Sequence, residues 1–244
     1  MRIPSRRSAL GCLATLLLIT SALMGCGNKE TGQAQLKPAP SPMLSIAVQP
    51  TMQPTPSLVE IGPLIETDLD PQAAPVDVPL ELEIPALKVI APIMGVGLTA
   101  ENEMDAPRGP IGDPIWHTAF WYRNGGIPGQ VGTATIAAHV NDPLGRSEIF
   151  ANLQDLKPGD LIIIHLKSTS IEIRFTVDQT RIYSTRESSD PLILTQIYGA
   201  GPVAGTGPQP SPDGLSHLTL ITCAGTIVNG EFDHHTVVFA TRSQ

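Results

Sequence analysis

From about residue 79 to the C-terminus the chain is a succession of short, β-branched apolar runs separated by turns rich in Gly, Pro and Asp. That pattern leaves few folds open. Ile171-Glu172-Ile173-Arg174-Phe175-Thr176-Val177 alternates apolar and polar residues, as a strand does with one face in a core and one in water. Residues 132–140 are small, β-branched and almost continuously apolar, which predicts a strand covered on both faces. Residues 161–166 follow a Lys157-Pro158-Gly159-Asp160 turn, and residues 180–184, 218–223 and 236–240 read as further strands. Residues 87–98 give one or two more around Pro92. Helical pattern is confined to residues 147–156 and to residues 190–198, where Pro191 suits a first helical turn. Aromatics at 4%, with 24 prolines and 22 glycines, fit a turn-rich β protein and exclude a helical bundle. Seven or eight short strands and one or two short helices in about 165 residues predict a mainly β, closed or nearly closed barrel over residues 79–244.

The region before it is of two kinds. Residues 1–25 carry Arg2, Arg6 and Arg7, then an apolar stretch with Leu16-Leu17-Leu18-Ile19 at its centre, and end in Leu23-Met24-Gly25 before Cys26. A basic start, an apolar core and a small residue before the cut make an export signal. Leu23-Met24-Gly25-Cys26 resembles the bacterial lipobox, which implies lipidation of Cys26; an uncleaved signal anchor is the other reading, its apolar span being near the lower limit for crossing a bilayer. Residues 26–78 are punctuated by proline among Ser, Thr, Gln and Ala, without sustained periodicity, and read as a disordered stalk. Either way the folded body is expected outside the cytoplasmic membrane and tethered to it. Of 15 basic groups, the three arginines of residues 1–25 leave 12 against 23 acidic, so the exported body carries −11. That balance argues against a nucleic-acid partner.

Cys12 and Cys26 belong to the targeting region, which leaves Cys223 as the body's one thiol and excludes an internal disulfide there. It closes the run Thr219-Leu220-Ile221-Thr222-Cys223, while His139 closes the strand at residues 132–140. A thiol and an imidazole at two strand ends fit a nucleophile with its acid–base partner. A buried structural cysteine is the competing reading.

In chain order the sequence carries Ile84-Pro85-Ala86-Leu87 through Val96-Gly97-Leu98, Trp121-Tyr122, Gly126-Ile127-Pro128-Gly129 with Gly132, and Ala138-His139-Val140. Phe150, Leu153, Leu156 with Pro158-Gly159-Asp160, and Leu218-Thr219-Leu220-Ile221-Thr222-Cys223 complete the set. These runs, in this order, resemble the sortase family, and within it class F. The resemblance implies a cysteine transpeptidase, a thiol hydrolase of the cysteine-peptidase kind. It cleaves a sorting signal in an exported protein through a thioacyl intermediate and passes the acyl group to an amine of cell-wall precursor or protein. Cys223 takes the nucleophile's place and His139 the acid–base place, and no cofactor or metal is implied. An L,D-transpeptidase expects a Ser-x-Gly-Cys pattern, and Ile-Thr-Cys-Ala does not supply it.

One departure stands out. The family carries an arginine on the strand after the cysteine strand, and residues 224–240 contain none; Asp233, His234 and His235 occupy the region. Three readings follow: His235 substitutes as a weaker donor; Arg123, Arg181 or Arg186 reaches in; or the domain is a catalytically impaired lipoprotein that binds a sorting-type peptide. Trp116, Phe120, Trp121 and Tyr122 are expected to cover one barrel end, and the Gly- and Pro-rich residues 199–214 to overhang the thiol.

Overall fold

The computed structural model describes residues 72–167 and 169–243; the expected export signal, Cys26 and the stalk as far as residue 71 lie outside them. Eight strands close into a barrel: β1 (Val76–Ile84), β2 (Val89–Val96), β3 (Ala119–Tyr122), β4 (Gly132–Ala138), β5 (Leu161–Leu166), β6 (Glu172–Ser184), β7 (Ser216–Val228) and β8 (Glu231–Arg242). Their order around the wall is β1-β2-β3-β4-β7-β8-β6-β5. This is the mainly β closed barrel the alternation predicts. The pairs β2–β3 and β4–β7 are parallel and the others antiparallel. Among the described residues no helix is long and apolar enough to cross a membrane.

Alternation fills the core. Leu80, Leu82 and Ile84 of β1 point inward and are fully buried, meeting Ile162 and Ile164 of β5 and Phe175 of β6. The strand starts at Val76, inside the expected stalk, because Pro75 and Pro79 hide its period while the register with β2 carries the chain past them. β4 is buried on both faces, as its composition requires: Ala134 and Ile136 join the core, and Thr135 faces the other way and donates to Ile197 O at 2.6 Å. That bond seats helix α2 (Pro191–Tyr198) on the outside of the strand. Asp190 caps the helix by accepting from Leu192 N. Two further helices are single turns, α1 (Thr185–Ser188) and α3 (Ala200–Val203).

Three expectations change. Residues 147–156 form only a 3-10 turn at Leu153–Asp155, because Phe150, Leu153 and Leu156 are all drawn into the core. Their spacing of three suits 3-10 geometry, not 3.6 residues per turn. β7 does not stop at Cys223 but runs on to Val228 and returns through Asn229-Gly230, both at positive φ, as a two-residue hairpin demands. Its regular pairing with β8 does break just past the cysteine, between Ala224 and Ile227. There Gly225 sits at φ +82, and a Cβ would collide with Asp233 and His234. A bulge of this kind re-aims a strand beside it. Finally, residues 199–214 do not overhang the thiol. Gln209 packs against Gly132, at the start of β4, and Gly132 N donates to Leu215 O, so this loop covers the strand ends remote from Cys223.

Candidate active site

The constant offset between β4 and β7 builds the site. Gly132 pairs with Ser216, and the register holds without slip to Ala137 with Ile221. One residue on, Thr222 Oγ1 donates to Ala138 O at 2.8 Å, tying together the residues that immediately precede Cys223 and His139. Both Ala138 and Thr222 are buried. Side chains alternate along a strand, so the next residues, His139 and Cys223, emerge on the outer face, on strands about 4.8 Å apart. Cys223 is exposed and unpaired to another cysteine among the described residues. On its other flank, β8 pairs His235 directly opposite Cys223 and His234 opposite Ala224. Directly opposed residues share a face, so Cys223 lies between His139 and His235.

His139 is held from several sides. Its ring lies 4.7 Å from the Trp116 ring and 5.4 Å, edge-on, from Phe120. Its carbonyl accepts from Phe150 N at 3.3 Å. Its Nε2 is 2.9 Å from Pro107 O. A carbonyl can only accept, so Nε2 carries the proton, and in the neutral ring Nδ1 is the free base. Burial chiefly lowers the His139 pKa; the Pro107 bond opposes this, the Arg108 charge lowers it further, and Glu148 raises it. Glu148 is a buried carboxylate, with Oε2 2.6 Å from His117 Nδ1 but not aligned for a hydrogen bond.

Cys223 is reached by solvent, yet the protein around it disfavours the thiolate, and this desolvation pushes the thiol up from its ordinary value. The charge of Arg108 pulls it down, as does a backbone hydrogen bond. Both shifts favour the uncharged forms, a neutral thiol beside a neutral imidazole.

His235 is half-buried, and burial lowers its pKa, with Glu103 raising it and His234 lowering it. Its Nδ1 is 3.0 Å from Ser188 Oγ, which also reaches Thr185 O at 3.0 Å. The serine hydroxyl has one proton. Given to Thr185 O, it leaves His235 Nδ1 as the donor and Nε2 as a bare acceptor. His234 turns instead to Asp233, Nδ1 to Oδ1 at 2.7 Å. Of the three arginines considered from the sequence, Arg123 and Arg181 are bonded elsewhere. Arg123 is buried and donates to Ala73 O and Ala74 O, pinning the chain that enters β1. Arg181 bonds its neighbour Gln179 on β6. Arg186 lies exposed on α1.

The sequence reading missed Pro107, Arg108 and the aromatic wall of His139. Trp116 and Phe120 were legible only as barrel cover. Pro107 and Arg108 sit in a β2–β3 connection without periodicity, and only the fold brings it over the site.

The family model for the sortase domain matches residues 82–243, so this chain belongs to the sortase family. Solved structures similar in fold include a lid mutant of sortase A from Corynebacterium diphtheriae, at 20% identity and TM-score 0.47, covering 71% of this chain and 73% of that one. Sortase C-1 from Actinomyces oris is similar at 20% identity and TM-score 0.45, covering 75% and 79%. A pilus-related sortase C of Group B Streptococcus shares 22% identity at TM-score 0.44, covering 68% and 66%. No curated protein matches the chain.

Proposed function

We propose that the chain is a sortase-type cysteine transpeptidase that works through Cys223 and His139. The observation that carries this reading is the unbroken β4–β7 register, closed by the Thr222–Ala138 bond, which ends in a solvent-reached thiol beside an imidazole with Nδ1 free. In the reaction the thiol proton passes to His139 Nδ1, and the thiolate attacks the scissile carbonyl of a sorting-signal peptide. The tetrahedral species collapses as His139 gives that proton to the leaving amine, leaving a thioester on Cys223. An incoming amine from a cell-wall precursor or another protein then attacks the thioester. His139 takes a proton from the amine, and the new amide departs as the thiol is restored. Within the family we place the chain nearest class F, on Trp121-Tyr122 and Gly126-Ile127-Pro128-Gly129; Trp121 Nε1 donates to Gly126 O at 3.0 Å and so joins the two parts of that run.

The test uses the full chain, a degenerate pool of Pro-containing peptides and hydroxylamine as the acceptor amine. Cleaved peptides carrying a C-terminal hydroxamate support the reading. Saturable peptide binding without hydroxamate or hydrolysis would instead support the catalytically impaired binding module, the reading that the lack of an arginine in residues 224–240 favours. Attachment to the outer face of the cytoplasmic membrane is part of the same proposal, supported by the Arg-rich and apolar residues 1–25 and by Leu23-Met24-Gly25-Cys26. A clickable fatty acid fed to expressing bacteria should label the wild type and not Cys26→Ser. Equal labelling contradicts lipidation there, and a membrane-bound, unlabelled wild type favours the uncleaved anchor.

A further inference from the structure

Position 235 on β8 holds a neutral histidine with Nδ1 engaged by Ser188, so the thiol lacks a cation from the strand that flanks it. The β2–β3 connection brings one from another direction. Pro107 O receives His139 Nε2 at 2.9 Å, and three residues later Pro110 O receives Trp116 Nε1 at 2.9 Å. Trp116 itself packs against His139 with its ring tilted at 48°, so both anchors close on the same imidazole. Asp113 N also donates to Pro110 O, and Gly109 lies so close to Asp113 that a Cβ would collide with that side chain. Arg108 and Gly109 thus form a two-residue bridge pinned at both ends beside His139. Arg108 is exposed, and among the described residues its guanidinium makes no hydrogen bond or ion pair. Arg123, Arg146, Arg174, Arg181 and Arg242 are each bonded to protein groups.

We propose that Arg108 is the cation of this active site, its guanidinium turned to the carbonyl oxygen of a substrate held at Cys223 and taking the part for which the family uses a β8 arginine. The inference rests on the sortase-type reading above. Its electrostatic reach agrees with the geometry: burial is the larger influence on both groups, but the Arg108 charge acts on Cys223 and on His139 alike. The charge of Arg186 is not among the influences on either. A guanidinium is permanently charged and presents five donors, so it can hold the oxygen as negative charge develops there. Glu103, from the same connection, and His234 influence His235 and complete the charged surroundings.

The experiment compares wild type, Arg108→Gln, Arg108→Lys, His235→Gln and the control Arg181→Gln in hydroxamate formation with the best peptide of the pool. It also follows the pH dependence of Cys223 alkylation by iodoacetamide. Arg108→Gln is expected to lower kcat on the order of 10²–10³-fold with KM little changed, as loss of an oxyanion donor does. Arg108→Lys should recover part of it, and the control none of the loss. Alkylation of Arg108→Gln should require higher pH than wild type, since a cation that favours the thiolate is gone. A merely structural arginine would not give this pair of changes. Unchanged kcat, an unshifted alkylation profile, or the whole loss appearing in His235→Gln and not in Arg108→Gln overturns the assignment while leaving the transpeptidase reading intact. A wild type that forms no hydroxamate and hydrolyses no peptide overturns both.

Discussion

Replacing Cys223 with alanine is expected to bring hydroxamate formation and hydrolysis down to background, a loss on the order of 10⁴–10⁶ as for other enzymes deprived of their nucleophile. The loss should come with little change in stability. Cys223 is exposed on the outer face of β7, outside the cluster of Leu218, Leu220 and Val238 that fills the barrel beneath it. Thermal unfolding of the variant should therefore match the wild type while turnover vanishes. The wild type mixed with peptide and no acceptor should show a thioacyl mass increment on the tryptic fragment containing Cys223, and the variant none. Residual turnover above a few per cent in the variant would mean that another group attacks the carbonyl.

His139→Ala should cost about 10²–10⁴-fold in kcat/KM, the usual share of a positioned acid–base group, and should change the shape of the pH profile. Burial lowers the His139 pKa from the ordinary imidazole value and raises that of Cys223 from the ordinary thiol value. With the imidazole below the thiol, the proton-sharing state has a constant fraction between the two values. It is lost as pH falls through the lower one and as pH rises through the higher one. The wild-type kcat/KM profile should thus be a broad bell, with its acid limb below the ordinary imidazole range and its alkaline limb above the ordinary thiol range. Without His139 the acid limb should disappear, and the remaining rate should climb with thiol ionisation. A variant that keeps the wild-type acid limb would assign that limb to a different group. His235 is the first candidate, since its pKa is also lowered by burial.

Much of the barrel was legible in the sequence because alternation is a local property. Glu172 to Val177 announces its two faces within six residues, and the near-continuous apolarity of β4 announces burial on both faces, though not that α2 is what covers the outer one. The short strand β3 was not legible, since Ala119–Tyr122 is buried throughout and its aromatics read equally well as a cover. Nor was β1, whose period is broken by Pro79. At the site, the sequence offers Cys223 and His139 as strand-end residues. What sets them side by side is an 84-residue offset between parallel strands, which no local pattern encodes. The hold of Pro107 on His139 is further from reach still. It depends on where a 22-residue connection between β2 and β3 comes to rest, and its anchors, Pro107 O and Pro110 O, are backbone carbonyls that every residue possesses.

That offset is best tested by a cross-link. In the full chain carrying His139→Cys, mild oxidation should join positions 139 and 223 in a disulfide. Neighbouring strands place paired Cα atoms about 4.8 Å apart, within the roughly 4.4–6.8 Å that the bond requires. Peptide mapping should recover that linked pair in high yield, in preference to links with Cys12 or Cys26. Recovery of Cys223 as a free thiol, or joined only to the N-terminal cysteines, while the protein keeps its wild-type unfolding temperature, would contradict the account.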